Sequence, residues 1–290
     1  MKKTGRPAFV FGILFFAVPA LYAQETGSGA SLNGMSLNGA TGLYTVPSAR
    51  IGWERSADVG LDFGGSFNFI DHNGIAKAGA SLFKWVELTA AVDFQPMDGT
   101  YSLIPNTGLR VSSDGDDFDN DAIFGVKIQF PTGKTAVALG GNVQLLSRDE
   151  HWNTAGQVYA AVTYGGLFFS WPAEVSMALG YTITGENHKD IDFGMGFDLV
   201  LMPDVLNHFV HWVADFSNFS YSIDSMGTTP WYRGTLNTGI RVDLARIPAL
   251  NKFKFAVDLM FLDILDDDDN QAGRGRTFGV AMVFGLPLKQ

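Results

Sequence analysis

Carboxylates are crowded into two stretches of this chain. The run SSDGDDFDNDA holds Asp114, Asp116, Asp117, Asp119 and Asp121, and a second run holds Asp266, Asp267, Asp268 and Asp269 followed by Asn270. Hard cations such as Ca²⁺ take several oxygen ligands from stretches like these. That makes Asp116, Asp117, Asp119, Asp267, Asp268 and Asp269 the weak metal candidates. Neither run carries the Gly at position six and the Glu at position twelve of the calcium loop. Solvated loop tips are therefore the simpler reading, with divalent-cation bridging to anionic lipid headgroups or polysaccharide as an intermediate one.

Three histidines have acidic neighbours: His72 with Asp71, His151 with Asp149 and Glu150, and His188 with Asp190. A histidine with a carboxylate partner is what a hydrolase needs to activate water or a nucleophile. No Gly-x-Ser-x-Gly elbow, HExxH or other zinc spacing accompanies them. No catalytic residue is assigned and no cofactor is expected; a hydrolase at an outer rim stands as the third reading. His208 and His211 are three apart, which puts them on opposite sides of a strand. They are read as structural.

A third set of charges alternates with apolar residues. In IDFGMGFDLVL, Ile191, Phe193, Met195, Phe197, Leu199 and Leu201 alternate with Asp192, Gly194, Gly196, Asp198 and Val200. Successive strand side chains point to opposite faces, so one face here is greasy and the other small or acidic. The same alternation returns along the chain. It places Asp58, Asp62, Lys77, Glu87, Asp93, Lys127, Glu174, Asp192, Asp198, Arg233, Arg241, Asp243, Lys254 and Asp258, together with Asp215, on the face opposite the apolar stripe.

The elements that carry these charges are about twelve strands from Ser56 onward, near residues 58–63, 75–82, 86–94, 124–130, 137–145, 155–164, 174–181, 191–201, 207–219, 233–244, 253–261 and 278–284. The ninth is ambiguous, because LNHFVHWVADF also suits a short amphipathic helix; strand is preferred. Phe83-Lys84 joins the second and third strands almost directly, as in a tight hairpin. The links after strands two, four, eight and ten are short, whereas those after three, nine and eleven are long and polar. Short turns at one end, long loops at the other and an even strand count are the signature of an outer-membrane barrel. The fold expected is an all-β antiparallel transmembrane barrel, with both termini on the periplasmic side. A soluble sandwich also alternates, but it would carry fewer glycines opposite the apolar stripe.

Bulk properties agree with export. Of the 290 residues, the first 23 read as a cleaved secretory signal, with Lys2, Lys3 and Arg6 ahead of the apolar run Ala8 to Val18. Cleavage is expected after Ala23, with Ala20 as the second choice. Loss of those three basic residues takes the formal charge from −10 to −13, which argues against nucleic acid as a partner. There is no cysteine, hence no disulfide framework and no lipid anchor. No later apolar run is long enough for a membrane helix, so a membrane location requires a closed sheet.

Residues 24–55 are rich in Gly, Ser and Asn and only weakly periodic. Within them, Asn38-Gly39-Ala40-Thr41-Gly42-Leu43-Tyr44-Thr45-Val46-Pro47-Ser48-Ala49-Arg50 resembles the opening motif of YjbH-type outer-membrane proteins, in which a Gly-Leu and then a Pro-(Thr/Ser)-Ala segment precede a barrel region. The resemblance implies an association with exopolysaccharide export and carries over no catalytic residue. The chain is much shorter than members of that family and lacks their lipoprotein cysteine. Gly39 and Gly42 permit unusual backbone angles and Pro47 fixes an extended entry. The segment is expected to lie in the lumen, to cap its periplasmic mouth, or to be a plain linker.

The function expected is a passive channel or export conduit for small polar solutes or saccharide, in the outer membrane of a diderm bacterium. The alternative is a non-conducting structural or adhesive barrel with acidic, cation-binding external loops. Either implies outer-membrane lipid and the barrel-assembly machinery as partners. A dozen strands lie between the filled eight-stranded barrels and the open sixteen-stranded ones, so size does not decide whether the lumen is open.

Overall fold

The structure is a computed structural model that describes residues 33–69, 74–94, 122–148, 151–183, 191–219, 235–262, 264–265 and 277–289. The predicted signal sequence, both acidic runs, His72, His188 and Arg233 lie outside the described residues.

Twelve strands form a closed antiparallel barrel. They are β1 (Val59–Asn68), β2 (Gly74–Leu82), β3 (Val86–Phe94), β4 (Ala122–Thr132), β5 (Thr135–Arg148), β6 (His151–Phe168), β7 (Trp171–Ile183), β8 (Ile191–Val200), β9 (Val210–Ser217), β10 (Thr235–Asp243), β11 (Lys254–Leu262) and β12 (Thr277–Lys289). Each strand pairs with its neighbours in sequence, and β1 pairs with β12 to close the ring, with Phe63 opposite Phe284. Closure matters physically, because it leaves no sheet edge whose N–H and C=O groups would face lipid unpaired.

The outer wall is apolar. Phe63, Leu88, Val126, Leu139, Val158, Met177, Leu179 and Met282 are exposed at mid-strand positions, while their sequence neighbours are turned inward. Aromatic residues gather at both ends of the barrel. Phe67, Phe69, Phe261 and Phe278 contact one another at the β1–β2 end, with Phe69 stacked on Phe278 at 5.7 Å. Phe253, Phe255 and Phe284 cluster at the other end, as do Phe197 and Trp212, 5.0 Å apart and edge to face. Two aromatic girdles around an apolar band match a wall standing in lipid between two polar interfaces.

The tight turns 83–85, 133–134 and 169–170 share one mouth with the start of β1 and the end of β12. This is the periplasmic mouth by the turn-length rule. Phe83 and Lys84 both have positive φ, 55° and 65°, so this two-strand connection is built without glycine. The ambiguous ninth element is a strand. The helical tendency there is confined to one turn, α1 (Pro203–Leu206), which ends before β9 begins. β5 and β6 run further than the alternation suggested, pairing as far as Arg148 and His151. His151 therefore opens a strand rather than lying in a link, and its side chain is outside the described residues.

Candidate functional site

Inside the barrel the strand alternation delivers charge. Asp62, Lys77, Glu87, Lys127, Glu174, Asp192, Asp198, Asp215, Arg241, Asp243, Lys254 and Asp258 are all buried, at positions whose sequence neighbours lie on the outer wall. Asp58 is placed differently. It precedes β1, its side chain is 44% exposed, and it pairs with Lys84 of the β2–β3 turn at 3.4 Å, so it belongs to the periplasmic rim. Asp93 is in β3, but its side chain is outside the described residues.

The buried charges pair across neighbouring strands. Glu87 and Lys127 are directly opposed in the β3–β4 register, with an N···O distance of 2.6 Å. Lys254 reaches Asp62 at 3.2 Å, across β12. Arg241 donates through Nε and Nη2 to the two oxygens of Asp258, at 2.7 and 2.8 Å, and through Nη1 to Asp198 at 2.9 Å. The second oxygen of Asp198 meets Nδ1 of His211 at 2.6 Å, while Nε2 of His211 lies 3.2 Å from the carbonyl oxygen of His208. A planar guanidinium is suited to such a forked arrangement, where an ammonium would act only as a point charge. Toward the outer end, Asp192 accepts from Gln157 at 2.9 Å and from Thr182 at 2.5 Å.

Residues 34–53 are buried, and their contacts go to these inward-facing side chains from most sides of the barrel. Lys127 Nζ donates to the carbonyl oxygens of Thr41 (3.3 Å), Ser48 (3.0 Å) and Arg50 (2.8 Å). Glu87 accepts from the Thr41 backbone N–H at 3.2 Å and from the Thr41 hydroxyl. Asp215 accepts from the N–H groups of Thr45 (2.6 Å) and Val46 (3.3 Å). Ser48 and Thr163 of β6 bring their hydroxyl oxygens within 3.0 Å, and Thr163 Oγ1 also accepts from Ala49 N–H at 2.8 Å. Lys77 donates to Met35 O at 3.2 Å, and Lys254 lies over the Trp53 ring at 4.5 Å. Arg50 donates to Lys134 O in the β4–β5 turn at 2.7 Å and to Glu54 at 2.8 Å. Both ends of the segment stand at the periplasmic mouth: Asn33 Nδ2 donates to Asp243 at the foot of β10, and Trp53 leads into β1.

The glycines of the motif serve two different needs. Gly39 has φ +83°, a conformation that a side chain resists. Gly42 has no such angle; it is small because the chain folds back on itself, and an added Cβ would stand 2.9 Å from Ser48 N. The glycines of IDFGMGFDLVL are matched to the same segment. A Cβ on Gly194 would stand 2.7 Å from Val46 Cγ2, and one on Gly196 would stand 2.6 Å from Leu43 Cδ1. Phe219, just past β9, fills the rest of the space beside Gly194, edge to face with Tyr159 at 6.4 Å between centroids.

His211, read from the sequence only as structural, and Arg50, quoted only as the end of a motif, are participants whose partners the sequence reading did not foresee. Alternation along β9 put His211 on the inner face, but nothing in the sequence announces that Asp198 comes within bonding distance. Arg50 stood in the motif as the last residue of a resemblance, with no hint that Glu174 would meet it.

A closed antiparallel sheet with an apolar outer wall is built to stand in a membrane. The chain is a bacterial outer-membrane β-barrel. No protein-family model matches it, and no curated protein matches it. Solved structures similar to it include a KdgM porin (TM-score 0.46, 7% identity, covering 79% of this chain and 99% of that one). Others are the outer membrane protein Omp33 of Acinetobacter baumannii (0.39, 8%, 80% and 98%) and LpxR from Salmonella typhimurium (0.43, 7%, 79% and 100%). Likeness at this level says nothing of cargo or activity.

Proposed function

We propose that the protein is an outer-membrane channel or export conduit for small polar solutes or saccharide, and that residues 33–55 act as a plug seated in its lumen. The observation that carries this reading is the chemistry of the wall beneath the segment. Glu87, Lys127, Thr163, Glu174 and Asp215 are groups suited to lining water, and the segment meets them largely through hydrogen bonds. Leu37, Leu43 and Val46 of the segment also join an apolar cluster with Ile75, Ile123 and Val213 of the wall, and a barrel filled only for stability could extend that packing without these charged groups. Hydrogen bonds to a plug exchange for hydrogen bonds to water at a net cost of about 0.5–1.5 kcal/mol each, so a polar seat can be vacated. The motif that resembles YjbH-type proteins is the very stretch enclosed by the barrel, which supports saccharide as the class of cargo.

Reconstitution into planar bilayers tests the proposal. The wild-type chain is expected to show sparse openings, and Arg50→Ala, which removes the contacts to Glu174 and the β4–β5 turn, is expected to show more. The chain has no cysteine, so Ser48→Cys with Thr163→Cys places a single designed pair where the two hydroxyl oxygens are 3.0 Å apart. Oxidation of that pair should silence the openings and a reductant should restore them. Folded protein with no conductance above the lipid control, in the wild type and in Arg50→Ala alike, would sink the conduit reading.

A further inference from the structure

The wall carboxylates divide by the source of their partners. Asp62, Glu87, Asp198 and Asp258 meet cations that belong to the wall: Lys254, Lys127 and, for the last two, Arg241. Glu174 and Asp215 do not. The cations at Glu174 are Arg50 (3.4 Å) and Arg55 (3.0 Å), both on the N-terminal segment. Asp215 is held by the N–H groups of Thr45 and Val46 from the segment and by Asn237 Nδ2 from β10 at 2.9 Å, all of them neutral donors. Glu174 is 6% exposed and Asp215 1%.

Of the four described wall cations, Lys77 mirrors this, donating to the segment's Met35 carbonyl oxygen at 3.2 Å and lying over its Tyr44 ring at 5.9 Å; the other three do not. Lys127 keeps Glu87, Lys254 keeps Asp62 and Arg241 keeps two carboxylates, whether or not the segment is seated. Among the described buried strand residues, eight carboxylates (Asp62, Glu87, Glu174, Asp192, Asp198, Asp215, Asp243, Asp258) face four cations (Lys77, Lys127, Arg241, Lys254). Glu174 and Asp215 also share a sector. Glu174 is opposite Asp198 in the β7–β8 register, and Asp215 is opposite Gly196 in the β8–β9 register, two residues before Asp198 on β8.

We propose that Glu174 and Asp215 are the selectivity residues of the open conduit: withdrawal of the segment unmasks both carboxylates and makes the lumen prefer cations to anions. This rests on the conduit reading above. The seated segment pairs Glu174 with two guanidinium groups and covers Asp215 with two backbone N–H donors. Once it leaves, water must solvate both carboxylates within a narrow path walled by low-dielectric material. Fixed charges in such a path focus the field and concentrate counter-ions, and carboxylates lining cation pores act in this way. Their register positions on β8 are two residues apart, so both carboxylates act on the same sector of the lumen.

The test is the reversal potential in a KCl gradient across planar bilayers holding the full chain with Arg50→Ala, so that openings are frequent. The background variant is expected to reverse on the K⁺ side. Adding Glu174→Gln or Asp215→Asn should move the reversal toward zero, and adding both should move it further. Asp204→Asn, on exposed α1, serves as a control and should leave it in place. Gln and Asn keep the size of the side chains, and heat-modifiable gel mobility confirms that each variant is folded. Openings that reverse on the Cl⁻ side, or that are unmoved by both neutralisations, overturn this proposal while leaving the conduit standing. Absence of any opening in folded protein overturns both.

Discussion

Glu87 and Lys127 face each other across β3 and β4 with charged ends 2.6 Å apart, and each also holds a different chemical half of the same buried chain. Lys127 takes three carbonyl oxygens of residues 41–50, and Glu87 takes the N–H and hydroxyl of Thr41. One ion pair thus supplies both a donor side and an acceptor side to an irregular backbone that has no sheet of its own to satisfy it.

Breaking this pair from one side should cost far more than removing it whole. Lys127→Met leaves Glu87 buried without its cation and takes the Nζ donor from the Thr41, Ser48 and Arg50 carbonyls, of which Thr41 O keeps the Ser48 N–H, a loss on the order of 3–5 kcal/mol. The double variant Glu87→Gln with Lys127→Met should lose less than the sum of the two single changes. Urea unfolding in detergent micelles, followed by tryptophan fluorescence, gives the cycle. Additive single changes would mean that the two residues hold the segment independently.

Arg241 ties β8, β10 and β11 together through Asp198 and Asp258. Arg241→Met strands two buried carboxylates and should lower the barrel's stability by about 3–5 kcal/mol. Arg241→Lys should recover only part of this, because an ammonium cannot make the forked contact to Asp258. The midpoint of heat-modifiable gel mobility ranks the three proteins, and equal midpoints for Lys and wild type would refute the geometric role.

Gly39 carries the positive φ at the turn of the motif, and an added Cβ there would also stand 2.7 Å from the Ala90 carbonyl of β3. Gly39→Ala should therefore loosen the segment while sparing the barrel. The backbone cost of a left-handed conformation is about 1–2 kcal/mol, and the steric contact adds to it. Limited proteolysis with mass spectrometry should find new cuts within residues 33–55 while strands β1 to β12 remain protected.

The lipid face is testable by a single charge. Met177 is mid-strand in β7 and points outward, 44% exposed in the absence of lipid. Met177→Arg should cost about 2–4 kcal/mol at the bilayer midplane. Refolding into lipid vesicles over a urea series measures it, and a cost near zero would place that face of β7 away from hydrocarbon.

What the sequence determined by itself was the set of two-faced strands and their number, about twelve. These are local: a period of two fixes which side chains share a face, and the lengths of the links fix which ends carry turns. The acidic face of β8, with Asp192 and Asp198 beside Gly194 and Gly196, was legible for the same reason. The overlong β5 and β6 and the rim position of Asp58 were not, because a boundary depends on where a strand finds partners. Only the tertiary structure decided what occupies the space opposite Gly194 and Gly196, and which buried carboxylate meets which donor. Leu43 and Val46 fill that space, Thr45 and Val46 cap Asp215, and Arg50 reaches Glu174. Those partners lie more than a hundred residues apart in sequence, in a segment without periodicity. Such contacts follow from ring closure and from burial of backbone polar groups, and no local pattern of residues encodes them.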